Sequence, residues 1–168
     1  MDDAAARWRE LAALLPDGVA REVVECWEIG EQEAGLDRLV TGLVEADVAI
    51  GDEDRARIAV VAEVWGVREA VEPALRRCRA AAGGRVRVVE DAEPVAGTAF
   101  GLPDLVVVPW LACTRCDDVL GRAHRREPWG DLSYIPAHYV LSRDGRRFAP
   151  EDTWSAFTAL TTCPHPPS

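Results

Sequence analysis

The chain has 168 residues, 48% of them hydrophobic, and a formal net charge of −10, with arginine as its sole strong cation because lysine is absent. That length and apolar content suffice for a buried core in one ordinary domain or two small lobes. No run approaches the roughly 20 apolar residues of a membrane-spanning helix, and the acidic balance disfavours nucleic acid and anionic membrane as partners.

Asp2 and Asp3 stand where a signal peptide would carry its basic start, so a cytoplasmic location is expected. Trp8, Leu11, Ala12 and Leu15 repeat at helical spacing until Pro16, Asp17 and Gly18 interrupt them, and Val19, Val23 and Cys26 or Trp27 resume the pattern up to Gly30. Leu36, Leu39, Val40, Leu43 and Val44 form the next apolar stripe, followed by a loop from Asp47 to Asp52. A further stripe, Ile58, Val61, Ala62 and Trp65, runs to Gly66. The last one, from Val67 to Cys78, contains Pro73, which is expected to kink or divide it before Gly83 and Gly84 close it.

After Gly84 the period changes. Val86, Val88 and the run Leu105 to Val108 are short and β-branched, and Pro94 to Gly97 and Pro109 bound them as turns bound strands. His138 to Ser142, Asp144 with Gly145, and Arg146 to Phe148 have the pattern of a hairpin with a tight two-residue turn. A terminal helix is expected from Glu151 to Leu160, packing Trp154, Phe157 and Leu160. The expected architecture is therefore α+β. An acidic lobe of four or five helices (1–82) precedes a small β-rich lobe with a hairpin and a C-terminal helix (83–162), and a proline-rich tail (163–168) is expected to fray.

Between Glu22 and Asp54, eleven carboxylates face one cation, Arg38, a local balance of −10 that equals the net charge of the whole chain. Glu22, Glu25 and Glu28 fall three apart along one side of a helix, Glu31 and Glu33 lie just beyond its end, and Asp47, Asp52, Glu53 and Asp54 follow in the next connection. These nine are the candidate partner-binding residues, because such a field attracts a basic surface and speeds its capture.

The stretch from Trp27 to Val67 resembles the MafI-type family of small helical immunity proteins found beside polymorphic toxins in bacteria. Gly30, Glu31, Leu36, Leu39, Leu43, Glu45, Asp47, Val48 and Ile50 stand where that family's pattern places them. Glu33 occupies a position where the family has an aromatic, and Gly35 one where it commonly has alanine. The resemblance covers residues 7–80 at most. It implies a non-enzymatic protein that neutralises a cognate toxin by direct stoichiometric binding.

A second signal lies in the β lobe, which that resemblance does not reach. Cys113 and Cys116 form a Cys-x-x-Cys pair, with His124 eight residues on and Cys163 and His165 near the end. A tetrahedral zinc site would need two more ligands, for which Cys163 with His124 or His165 are the candidates. A thiol-redox role for the pair starts from Pro109-Trp110 before it and Ile135-Pro136 after it. Too few residues separate Cys116 from Pro136 for the helix and strand a thioredoxin places there. The plainest reading is two buried or half-buried free thiols and no cofactor, with zinc as the one cofactor to be tested. His138 near Tyr134 and Tyr139 reads as a sheet residue, Arg122, Arg125 and Arg126 as partners for the acidic lobe, and Trp129 as a packing or interface aromatic. No nucleophile elbow, phosphate loop or His-Glu-x-x-His helix is present, so no catalytic set is expected.

Overall fold

The computed structural model describes residues 3–162, and its class is α+β. Two compact units divide between Gly83 and Gly84.

The helical unit contains α1 (Asp3–Ala12), α2 (Asp17–Glu28), α3 (Gln32–Glu45), α4 (Asp52–Val64) and α5 (Arg68–Arg77). Trp8 ties the first three together. Its buried indole N–H donates to the Val23 carbonyl at 2.8 Å, and its ring lies 5.3 Å from that of Trp27. Beneath it α3 presents Gly35, where an added Cβ would sit 2.6 Å from the Trp8 ring and 2.9 Å from Cys26 Cβ. Two turns on, a Cβ at Gly42 would come within 2.9 Å of Val19. The two glycines thus let α3 approach its neighbours at backbone distance.

The α4 helix departs from the one-sided stripe expected of it. Arg55, Ala56, Ile58, Ala59, Val60, Val61 and Ala62 are all buried, so the helix is covered around most of its circumference, with Arg57 left at its partly exposed edge. Trp65, just past its end, is instead 37% exposed.

Pro73 does not divide α5. Pro73 and Glu69 both lie on the exposed side, so the carbonyl that the proline leaves without a donor is not buried without a partner. Nor does the helix continue to Gly83. It stops at Cys78, which is extended (φ −59°, ψ 138°). The buried Arg55 guanidinium donates to the carbonyls of Leu75 and of Cys78, the latter at 3.0 Å, and so satisfies the open end of α5. The chain beyond runs beside the loop before α4: Ile50 N–H donates to Arg79 (2.9 Å), Ala81 N–H to Ile50 (2.8 Å) and Asp52 N–H to Gly83 (3.1 Å). Burial pushes the Cys78 thiol pKa up against the opposing pull of Arg55 and Arg77.

The second unit is an antiparallel sheet in the order β1 (Val86–Val88), β3 (Val106–Cys113), β4 (Val119–His124), β5 (His138–Leu141), β6 (Arg147–Phe148). The two-residue β2 (Val95–Ala96) shares the outer edge of β3 with β1. Three sequence expectations fail here. The strand expected to end at Val108 runs through Pro109 to Cys113, because a bulge between Pro109 and Leu111 shifts the register where proline withholds its donor. The strand β4 was masked by Gly121 and Arg122, yet it lies between β3 and β5. Gly121 is needed there, since a Cβ would stand 2.4 Å from Val107 Cγ1. Finally, the β5–β6 turn spans Ser142 to Gly145 and only Gly145 has positive φ (68°), so four residues, not two, make the reversal.

Both faces of the sheet are packed. Val107, Ala123 and Val140 gather with Leu102 on one face, flanked by Phe100 and Leu105. On the other lies α6 (Thr153–Thr161), entered through a short 3-10 turn, with Ala156, Phe157 and Leu160 buried and the Thr153 hydroxyl 3.2 Å from that of Tyr139. Trp154 is half-buried, edge-on to Phe157 at 5.7 Å.

Replacing Gly35 with alanine is expected to lower stability by about 1–3 kcal/mol, as overpacking does. Gly18→Ala, in α2 with nothing within 4 Å of the added methyl, is expected to be neutral or slightly stabilising. Urea midpoints of the two variants test the contrast.

Candidate functional site

The structure divides the nine acidic candidates into two groups. Glu22 is exposed but paired across the bundle surface: Arg38 of α3 donates to it at 2.6 Å and reaches Glu45 at 3.4 Å. That hydrogen bond, over the opposing effect of desolvation, pushes the Arg38 guanidinium pKa further up. Asp47 ends α3 in a left-handed conformation (φ 49°), with Val48 N–H donating back to Leu43 at 3.0 Å. Arg79 grips it twice, through its carbonyl at 2.8 Å and its carboxylate at 3.3 Å. Asp52, Glu53 and Asp54 form the first turn of α4, where acids complement the helix dipole. Arg57 lies 3.4 Å from Glu53 and 3.8 Å from Asp54. The single cation counted within the segment is thus joined by Arg57 and Arg79 from outside it, and these five acids serve the fold.

Glu25, Glu28, Glu31 and Glu33 are different. All four are exposed, and among the described residues none has a cation within ion-pair distance. They cluster where α2 turns into α3. Gly30 (φ 84°) reverses the chain there, and Glu31 N–H closes the turn on Cys26 at 2.8 Å. Ile29 stands among them 74% exposed. Trp27 meets Trp65 edge-on at 6.2 Å, which brings exposed Trp65 and Val64 (47%) to the same end of the unit. Exposed apolar side chains and carboxylates without a nearby cation thus share this end of the unit. Sequence reading assigned Trp65 to the core and passed over Ile29. Its one available signal was an isoleucine directly before a helix-ending glycine, where no packing stripe required it.

An open groove of about 800 Å³ adjoins this end, between α1 and α2. Ala12, Ala20 and Val24 line its floor, and Arg21, Glu25 and Glu28 its border.

In the sheet unit, Cys113 closes β3 and Cys116 lies three residues on in the turn to β4; neither is in a disulfide. His124 is not near them. It pairs with Val106 at the other end of the β3–β4 ladder, seven residues from Cys113, or roughly 23 Å along the strand. No single ion spans that gap. Its buried ring has Nδ1 2.6 Å from the Ser133 carbonyl, the geometry of an imidazole holding the following loop. Cys163 and His165 lie outside the described residues. Among the described residues, no three His, Cys, Asp or Glu side chains gather in a metal-holding arrangement.

The remaining polar candidates are built into the unit. The Arg122 guanidinium covers the Trp110 ring at 4.3 Å, Arg126 donates to Gly130 at 2.6 Å, and Tyr139 is buried against α6. Trp129 stands 72% exposed near the tip of the 125–133 loop. No helix is long and apolar enough to cross a membrane.

No family model, curated protein or solved structure matches the chain.

Replacing Asp47 with glycine is expected to be neutral or to stabilise by up to about 1 kcal/mol, since glycine takes left-handed φ without strain and an exposed ion pair contributes little. The midpoint of chemical unfolding checks it. A large loss of stability would mean that the Arg79 contact, and not backbone conformation, holds this corner.

Proposed function

We propose that this protein is a non-enzymatic immunity protein, acting in the cytoplasm by stoichiometric capture of a cognate bacterial toxin with a basic surface. One observation carries the reading: four exposed carboxylates without an ion-pair partner among the described residues, Glu25, Glu28, Glu31 and Glu33, lie at the same connection as exposed Ile29, close in sequence to Trp27, whose ring meets that of Trp65. Like charges held this close reduce stability, and a cationic partner relieves the cost on binding. A toxin that acts on a polyanion presents such a cationic cleft, and carboxylates at this spacing mimic the charge of its substrate. The acids accelerate encounter, while Ile29 and Trp65 supply the desolvated centre that slows release. The similarity of Trp27–Val67 to the MafI-type pattern supports the same assignment, and neither nucleic acid nor membrane suits so acidic a face.

The partner is sought in the product of the adjacent reading frame. Its association rate with this protein is expected to fall steeply as salt rises, since exposed charges are screened beyond roughly 8 Å at physiological ionic strength. Charge reversal of Glu25, Glu28 and Glu31 together is expected to slow association on the order of tenfold or more and to weaken protection of cells expressing the toxin. Stopped-flow rates indifferent to both salt and reversal would remove the acidic face from the mechanism.

Ile29→Ala separates the anchor from the steering. It is expected to raise the dissociation rate and leave the association rate within a factor of about two, because uncharged interface contacts act mainly on release. An unchanged dissociation rate would place the energetic centre elsewhere.

A further inference from the structure

The open groove between α1 and α2 carries charges of both signs. Along α2, Asp17, Ala20, Arg21, Val24, Glu25 and Glu28 follow one another at helical spacing, and all of them line it. Ala20 and Val24 are half-buried, and Ala13, just past the end of α1, is exposed. Arg9 joins the lining from α1. Arg9, Arg21, Glu25 and Glu28 are exposed, and among the described residues none of the four has an opposite charge within ion-pair distance. The other side of α2 is already in use, since Val23 is buried and Glu22 is held by Arg38 of α3.

A groove of about 800 Å³ between two helices, lined by alanine and valine, has the shape that takes a further helix, because small side chains let helix axes approach to roughly 8–10 Å. The charges decide which helix fits. A purely basic helix would meet Glu25 and Glu28 but run against Arg9 and Arg21, and a purely acidic one would suffer the reverse. The complementary occupant lies antiparallel to α2 and carries a cation followed, about one and two turns later, by carboxylates. Helix α2 itself has that pattern: Glu25 and Glu28 stand roughly 6 and 10 Å along the axis from Arg21. When two copies of α2 lie antiparallel about a two-fold axis at Val24, Arg21 of each protomer falls opposite the span between Glu25 and Glu28 of its partner, and the two Val24 residues face each other at the centre.

We propose that the α1–α2 groove is the interface of a reversible two-fold dimer, in which α2 of each protomer lies in the groove of its partner. Arg21 meets the partner's Glu25 and Glu28 at each end of the seam, and Ala20 and Val24 supply its apolar centre. A seam as long as the 12-residue α2, roughly 18 Å, is short beside the interfaces of permanent dimers, so the dimer dissociates on dilution. Glu25 and Glu28 belong both to this seam and to the proposed capture surface, so dimerisation and toxin binding compete. The dimer does not rest on the capture reading: its test uses this protein alone, and its failure leaves that reading standing.

Sedimentation velocity of the full chain at low salt, over about a hundredfold range of concentration, is expected to show monomer passing into dimer. Added salt should move the wild-type equilibrium back toward monomer, a readout that needs no variant to fold. Arg21→Glu sets like charges opposite one another and is expected to weaken the dimer on the order of tenfold or more. Glu25→Arg with Glu28→Arg should do the same. The triple variant, Arg21→Glu with Glu25→Arg and Glu28→Arg, exchanges the signs but keeps each copy complementary to itself, so it should dimerise again. All three positions are exposed, and far-UV circular dichroism checks that each variant is folded. A wild-type chain that stays monomeric across the range would overturn the proposal. So would a dimer indifferent to both reversals, a folded triple variant that stays monomeric, or growth beyond the dimer with concentration, which would mean a head-to-tail contact that does not close.

Discussion

The helical unit depends on a buried positive charge whose partners are carbonyl oxygens. Arg55 sits in the first turns of α4, the helix covered around most of its circumference, and donates to Leu75 and Cys78 at the end of α5. Burying a guanidinium costs several kcal/mol unless its donors are satisfied. Helix-terminal carbonyls suit it because they are themselves unpaired and carry the negative end of the helix dipole. By ending α5 at Cys78 this contact releases the next residues to run beside Ile50 and Asp52. The Asp47 to Asp54 corner is therefore held from both sides.

That arrangement explains why the acidic residues separate as they do. Those at the Asp47 to Asp54 corner are held by Arg79 and Arg57 or placed at a helix start, and Glu22 is shared with Arg38. The uncompensated field is left at the opposite connection, the turn between α2 and α3. There Gly30 exposes Ile29 and the Trp27–Trp65 contact adds a second aromatic edge. Charge density alone does not define a binding surface, because a solvated helix face has the same composition. The coincidence of unpaired carboxylates with exposed aliphatic and aromatic surface distinguishes this end, since interfaces combine a desolvated centre with a polar rim.

The sheet unit solves a different problem. Its two faces are covered by unlike elements, the 97–105 segment and α6, so β3, β4 and β5 must be apolar on both sides. A strand of that kind lacks the alternation by which a half-exposed strand is recognised. The cost of placing Pro109 in an inner strand is met by the bulge, and that of Arg122 by stacking on Trp110. The same ladder sets the distance between His124 and Cys113, and hence which side chains are able to share an ion.

What was legible in the sequence was local. Helical spacing placed Leu36, Leu39 and Leu43 on a buried face, Asp144 and Gly145 marked the final reversal, and the change of period after Gly84 separated helices from sheet, because each depends on neighbours a few residues away. Charge was legible as a sum, but not as pairing. Arg57 and Arg79 lie outside the acidic segment, and their reach into it is a property of the folded chain. The covering of α4 on most sides, the end of α5 at Cys78, the strand through Pro109 and the hidden β4 were all decided by tertiary contacts, which override propensity wherever a buried group needs a partner. Exposure of Ile29 and Trp65 belongs to the same class. An apolar residue reads identically in sequence whether it fills a core or awaits a partner, and only the packing around it tells the two apart.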